Sequence, residues 1–340
     1  MYQPLLDKLK ASIQHWANKN LSYAGKTLLV NSVIFGLNNF WGASILFPKV
    51  VIKKINKICK DFLWGISDGT RRHTFLKWQL LCSPKLEGGI GIKEVLSWNC
   101  AQMVKWVWKL HNKPQSIWTR WAHTYVLKGQ SIWIARQTIS NSWYWNNVVK
   151  MKDLLLNIDG SSSLAMQLLE RCTHHARFDT NAAYDLVRSR REPVPWHSIV
   201  HGNSCHPKNS FTGLMVMNDS LPIVAKLITR GLFLVNRCVL CECSMEDLHH
   251  VFFNCSYSRQ VWAAVATWVH LPLSFSLDSI VQAFLSESRN GKQRASLMAS
   301  FHFIWKERNS RIFKGAKSSS DSLCIVIKRA VSLRLYGSFA

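Results

Sequence analysis

The stretch that decides the fold runs from Arg237 to Cys255 and reads R-C-V-L-C-E-C-S-M-E-D-L-H-H-V-F-F-N-C. Four of the ten cysteines lie in it. Cys238 and Cys241 are spaced C-x2-C, and His250 and Cys255 are spaced H-x4-C. A C-x2-C turn can aim two thiolates at one ion, and a second pair folded back against it completes a tetrahedron of soft and borderline donors. The spacing predicts Cys238, Cys241, His250 and Cys255 as a Cys3His zinc site. Four protein donors leave no position for a catalytic water, so the ion is expected to be structural. Cysteine is also a common buried apolar residue, but paired spacing with histidine favours metal. Cys243 competes with Cys241, and His249 with His250. The x2 spacing favours Cys241; between the histidines the spacing is silent.

Ser244-Met245-Glu246-Asp247 has the pattern of a capping box that starts a short helix carrying His250. On a continuous α-helix, residues five apart sit roughly 140° apart around the axis. The helix should therefore end near Asn254, with Cys255 in the turn. A following helix carries Val261, Trp262, Val265, Trp268 and Val269. Upstream, Ser220 is positioned to cap a helix with Pro222 in its first turn and Leu221, Val224, Leu227 and Ile228 on one face. Gly231 stands where a left-handed C-terminal residue belongs. Beyond Pro272, a last helical region from Ser279 to Tyr336 is broken at 289–292 and at 315–320. Its apolar side is Phe301, Ile304, Trp305 and Ile312. Its basic side is Lys306, Arg308, Arg311, Lys314 and Lys317.

The N-terminal third also reads as helical. Leu5, Leu6, Leu9, Ile13 and Trp16 recur at helix spacing, with Asp7, Lys8, Lys10 and Gln14 opposite. Ser22 caps a second helix, Tyr23 to about Phe40, whose Leu28, Leu29, Val33, Ile34 and Leu37 should make it central. A third, about Lys49 to Leu63, sets Val50, Ile52, Ile55, Ile58, Cys59 and Phe62 against Lys53, Lys54, Lys57 and Lys60. Gly88, Gly89 and Gly91 lack a following Gly-Lys-Ser/Thr, so they form a turn and not a phosphate loop. That turn precedes a helix from about Val95 to Leu110. Residues 159–163 are a linker candidate, and Arg188 to Pro193 form a basic loop.

Composition bounds the partners. The 340 residues hold 43 Lys and Arg against 19 Asp and Glu, a formal charge of +24. That excess favours a polyanion, nucleic acid being the commonest. The candidate phosphate-contacting residues are Lys53, Lys54, Lys57, Arg188, Arg190, Arg191, Lys306, Arg308, Arg311 and Lys314. Hydrophobic residues make up 48%, enough for a packed core. No charge occurs between Lys26 and Lys49, but Asn31, Asn38 and Asn39 are expensive in lipid, so a core helix is expected and no membrane partner. The N-terminus lacks a signal-peptide pattern and the other cysteines are scattered, which points to an intracellular protein, nuclear or cytoplasmic.

Beyond the cysteines, the chain resembles the reverse transcriptase zinc-binding domain of plant LINE-type non-LTR retrotransposons. Trp196 and Ile199, Pro207-Lys208 and Phe211, Leu221-Pro222, Leu227 and Arg230-Gly231 match its upstream motifs. Cys238, Cys241, Glu246, His250, Phe252-Phe253, Cys255 and Val261-Trp262 match C-x2-C…E…H-L-F-x-x-C…V-W, with Val251 in place of Leu. That register favours His250. The segments L-S-Y-A-G-K, F-L-W-G, C-S-P-K-L-E-G-G-I-G-I and W-N-C-A-Q-M-V-K-W look like the region after the polymerase palm. I-W-K-E-R-N-S-R-I-F, from Ile304 to Phe313, resembles the region before ribonuclease H.

The resemblance implies a mainly α fold in four parts. Residues 1–112 would be a thumb-like helical region and 113–190 a connector. Residues 191–270 would be the zinc-knuckle domain and 271–340 a basic helical tail. Palm and ribonuclease H chemistry both need clustered carboxylates holding two metals. The chain has no Asp-Asp pair, and its acidic residues are scattered. The expectation is therefore a non-enzymatic fragment with one structural zinc that binds RNA or DNA without sequence preference. The rival expectations are a protein–protein interaction module, with an apolar patch exposed beside Phe252 and Phe253, and the product of a decayed element with no selected function.

Overall fold

The computed structural model describes residues 2–17, 21–65, 76–112, 116–159, 161–229, 231, 235–271, 276–286 and 290–337. It is mainly helical; among these residues the strands are one two-residue antiparallel pair, Thr173–His174 with Arg177–Phe178. The chain divides into two compact units. One contains Met1–Asn20, Lys26–Arg71 and Ile92–Arg190; the other contains Leu21–Gly25, Arg72–Gly91 and Arg191–Ala340. Among the described residues, no helix is long and apolar enough to cross a membrane.

The first unit is built from α1 (Gln3–Ala17), α2 (Tyr23–Trp41, from Lys26 on), α3 (Lys49–Trp64), α4 (Val95–Asn112), α5 (Trp143–Asp159), α6 (Ser162–Arg171) and α7 (Thr180–Val187). In α1 the predicted stripe Leu5, Leu6, Leu9 and Ile13 is buried. In α3 the buried stripe is Val51, Ile52, Ile55, Cys59, Phe62 and Leu63. Val50, expected on that face, is instead exposed, because the stripe starts one residue later. In α2, Val30 and Val33 are buried but Leu28 is exposed, so that helix is amphipathic at its start and not apolar all round. The side chains of Ile34 and Leu37 lie outside the described residues. Within the linker candidate, α5 ends at Asp159, Gly160 lies outside the described residues, and the Ser161 hydroxyl caps α6 by accepting from Leu164 N.

The main core of this unit packs Met103, Val104, Val107 and Leu110 of α4 against Trp145, Val148, Val149 and Leu155 of α5. Tryptophans anchor its edges through their one polar atom, as buried indoles require. The Trp106 indole donates to Ala43 O at 2.6 Å and that of Trp108 to Thr173 Oγ1 at 2.7 Å. Asn99 is fully buried because its amide is used on both sides. It accepts from Phe47 N at 2.7 Å and donates to the carbonyls of Gly42 and Ile45, each at 2.9 Å.

The second unit is built on α8 (Pro207–Met217), α9 (Val224–Ile228), α10 (Ser256–Val269), α11 (Leu277–Ser286), α12 (Gly291–Lys314) and α13 (Ser320–Tyr336). Helix α12 starts at a true capping box, Asn290 with Gln293. It packs closely on α8: a Cβ added at Gly213 would lie 2.2 Å from the Met298 sulfur. The glycine turn belongs to this unit. A Cβ at Gly89 would lie 1.9 Å from the carbonyl oxygen of Ser83, so only glycine fits. The same turn holds the segment that follows Arg190: Arg191 N donates to the buried Glu87 carboxylate at 3.1 Å, and Val194 N to Leu86 O at 2.9 Å.

Candidate metal centre

The C-x2-C turn closes on itself. Glu242 N donates to Cys238 O at 2.8 Å, and Cys238 N donates to Ser244 O at 2.8 Å. Glu242 takes a left-handed conformation, φ 59°, to reverse the chain. The backbone N–H groups of Leu240 and Cys241 turn back onto the Cys238 sulfur.

The second pair arrives on a π-type turn, His250–Asn254. Its closing bond runs from Cys255 N to His250 O at 2.7 Å, five residues apart. This is how an H-x4-C spacing serves one ion: the wider turn brings residue 255 back beneath residue 250, which an α-turn does not. Cys255 itself is extended, at φ −63° and ψ 131°, between that turn and α10. The capping residue differs from the expected Ser244. Asp247 does it, its carboxylate accepting from His250 N at 2.7 Å.

The donor atoms of Cys238, Cys241, His250 and Cys255 all lie within 4.8 Å of one another. The Cys238 and Cys255 sulfurs are 4.0 Å apart, and the Cys241 sulfur is 3.2 Å from His250 Nε2. Zinc bonds of about 2.3 Å to sulfur and about 2.0 Å to nitrogen at tetrahedral angles need donor separations of this size. The set fits one zinc ion, and it is the chemistry of the donors that says so. The competing residues point elsewhere. Cys243 is exposed and its thiol donates to Cys241 O; His249 is exposed and its Nδ1 meets the Asn254 amide at 2.9 Å.

The two buried thiols are driven in opposite directions. Cys255 is drawn down to about 5, first by the hydrogen bond from Cys238 and then, against burial, by the N–H groups of Ser258 and Tyr257. Those N–H groups open α10, so the helix N-terminus faces the sulfur. Cys238 is pushed up, first because it donates to Cys255 and second by burial.

What holds the knuckle in place comes from α12, and spacing alone did not reveal it. Glu246 is fully buried. Its carboxylate accepts from Val224 N at 2.8 Å, so it is the N-terminal partner of α9. This replaces the predicted Ser220 cap: the helix begins at Val224, and the Ser220 hydroxyl donates to Asn218 O. The same carboxylate pairs with Arg308 through Nη2 at 2.5 Å and Nε at 3.1 Å. Arg311 pairs with Glu307 at 2.8 Å and donates from Nη1 to the carbonyls of Leu240 at 3.0 Å and Val239 at 3.3 Å, inside the C-x2-C turn. Behind the ligands, Phe252, Phe253, Trp262 and Phe301 form one aromatic cluster.

Two expectations are corrected here. Arg308 and Arg311 are not a basic face: Arg308 is 1% exposed, and Arg311 is spent on Glu307 and on backbone carbonyls. Arg188 is largely occupied too, paired with Asp185 at 2.9 Å. Phe252 and Phe253 themselves are fully buried. Of the remaining candidates, Lys53, Lys54, Lys57, Arg190, Arg191, Lys306 and Lys314 are exposed.

Residues 178–262 match the protein family described as zinc-binding in reverse transcriptase. A protein of Arabidopsis thaliana named "Putative ribonuclease H protein" is 30% identical over 115 residues, 34% of this chain. The match spans only 18% of that relative's length. An "Uncharacterized mitochondrial protein" of the same plant is 22% identical over 108 residues, 32% of this chain and 70% of the relative. The chain thus contains a reverse-transcriptase-associated zinc-binding domain, with Cys238, Cys241, His250 and Cys255 as its Cys3His cluster.

Proposed function

We propose that this chain is a non-catalytic, zinc-stabilised fragment of a plant LINE-type retrotransposon reverse transcriptase that binds RNA or DNA without sequence preference. The observation that carries this is the charge: +24 overall, with Lys53, Lys54 and Lys57 exposed along one side of α3. Counterion release from the strand supplies affinity to any such surface and makes it steeply salt-dependent. The zinc would be held by Cys238, Cys241, His250 and Cys255, and four protein donors give it a role in folding, not in water activation. Two-metal chemistry would require clustered carboxylates, and the acidic residues of the metal stretch are already engaged: Glu246 with Arg308, Glu242 with Lys317 at 2.8 Å.

A mobility-shift titration of single-stranded RNA and DNA across salt tests this. Binding at low salt that weakens linearly on a log–log plot is expected. No binding at low salt, or binding indifferent to salt, overturns the proposal.

A further inference from the structure

Three helices of the second unit, α8, α12 and α13, wall an open cleft of about 460 Å³. Its polar groups are His206, Lys208, His302, Lys306 and Arg334, with Asn209; Phe303 and Leu333 supply apolar floor. Among the described residues no carboxylate lines it. Three cations from three different helices therefore line one cleft without a counter-charge among the described lining residues. On α3, by contrast, the lysines fan along one helix into water. Like charges gathered at one concave site raise its potential and draw in an anion.

The histidines register that potential. His302 is lowered to about 4, by burial first and then by Lys306, His206 and Lys208. His206 is lowered by burial, Lys208 and Arg334. Both are neutral near pH 7, so they add hydrogen-bonding capacity without further repulsion. Arg334 is fixed in place by donating to Asn203 O at 3.1 Å, and the Thr212 hydroxyl lies 2.9 Å from His302 Nδ1. The cleft's volume is in the range of small-ligand sites, about 300–1,000 Å³. An aromatic ring beside a cation cluster is the pairing that holds a base next to its phosphate.

We propose that this cleft binds one nucleotide unit of a single-stranded nucleic acid, the phosphate on Lys208, Lys306 and Arg334 and the base against Phe303. This rests on the nucleic-acid reading above and assigns it a place. The test is a salt titration of the zinc-loaded full chain with fluorescein-labelled oligothymidylate, wild type against Lys208→Gln/Lys306→Gln. Both lysines are exposed, so helicity and zinc content should be unchanged. The slope of log affinity against log salt should fall by about 0.7, the share of one single-strand phosphate contact. Phe303→Leu should weaken binding several-fold and leave the slope alone. Wild type that binds while the double variant keeps the full slope overturns this site and spares the general proposal. Wild type that does not bind the strand overturns both. A strand displaced by millimolar inorganic phosphate from wild type but not from the double variant supports the phosphate seat; thermal stabilisation by phosphate without strand binding overturns the strand as occupant.

Discussion

Helices α3 and α12 carry the same signature in sequence, an apolar stripe with a run of cations beside it, and they use it in opposite ways. On α3 the cations Lys53, Lys54 and Lys57 face water. On α12 two of the four predicted cations turn inward: Arg308 grips the buried Glu246, and Arg311 grips the carbonyls of the metal turn. The difference is in the residue type and the available partner. Lysine is a strongly hydrated point charge on a flexible stem, whereas the planar guanidinium can meet a carboxylate with two bonds at once. The one acid of α3, Asp61, forms no ion pair with these lysines among the described residues, while α12 has Glu307 four residues before Arg311 and Glu246 across the fold.

The comparison is broken most sharply at Arg308. Replacing it by Met leaves Glu246 charged and buried, which should cost about 3–5 kcal/mol. Guanidinium unfolding should show this as a lowered midpoint, and Glu246→Gln in the same chain should recover part of it. A loss no greater than that of Lys54→Met would erase the distinction between the helices. Arg311→Gln comes next. It removes charged hydrogen bonds to Leu240 and Val239, worth about 1.5–3 kcal/mol together, and should speed zinc loss to a chelator.

Acid probes the same unit. His201 and His302 are each lowered from 6.5 to about 4, chiefly by burial. The unfolded chain then binds more protons than the folded one, so stability is fully present above pH 6.5 and falls as pH drops toward 4. The paired variant His201→Gln/His302→Gln should lose less stability than wild type between pH 7 and pH 5 in thermal melts. An equal loss would show that these histidines do not contribute. The smallest effect is on α3. Lys53→Gln/Lys54→Gln/Lys57→Gln should move stability by no more than about 0.5 kcal/mol, while the salt slope of strand binding drops. Unchanged binding would remove α3 from the interface.

These contrasts also mark what was legible in the sequence. Helix positions were, because amphipathic spacing over three or more turns leaves little freedom: the stripe of α1 and the break at Gly315 are both where the pattern put them. The four-residue metal set was legible because a C-x2-C turn and a π-type turn are local. The ambiguity between His249 and His250 is resolved by a single backbone bond, Cys255 N to His250 O, which spacing does not encode. Long-range polar partners were hidden. Glu246 looked like part of a capping box, but its partner Arg308 lies 62 residues away. A signal was present: Ile304, Glu307, Arg308 and Arg311 share one helical face at i, i+3, i+4 and i+7, so an acid and two arginines sit on the buried side. Asn99 was equally opaque, its three partners coming from residues 42–47.

The central claim is that Cys238, Cys241, His250 and Cys255 hold a structural zinc ion. Metal analysis of the purified chain tests it directly, with Cys255→Ala and Cys243→Ala in parallel. Stoichiometric zinc in wild type and Cys243→Ala, lost together with the ordered fold of the second unit in Cys255→Ala, is the predicted result. A wild-type chain that is folded and free of zinc would contradict it.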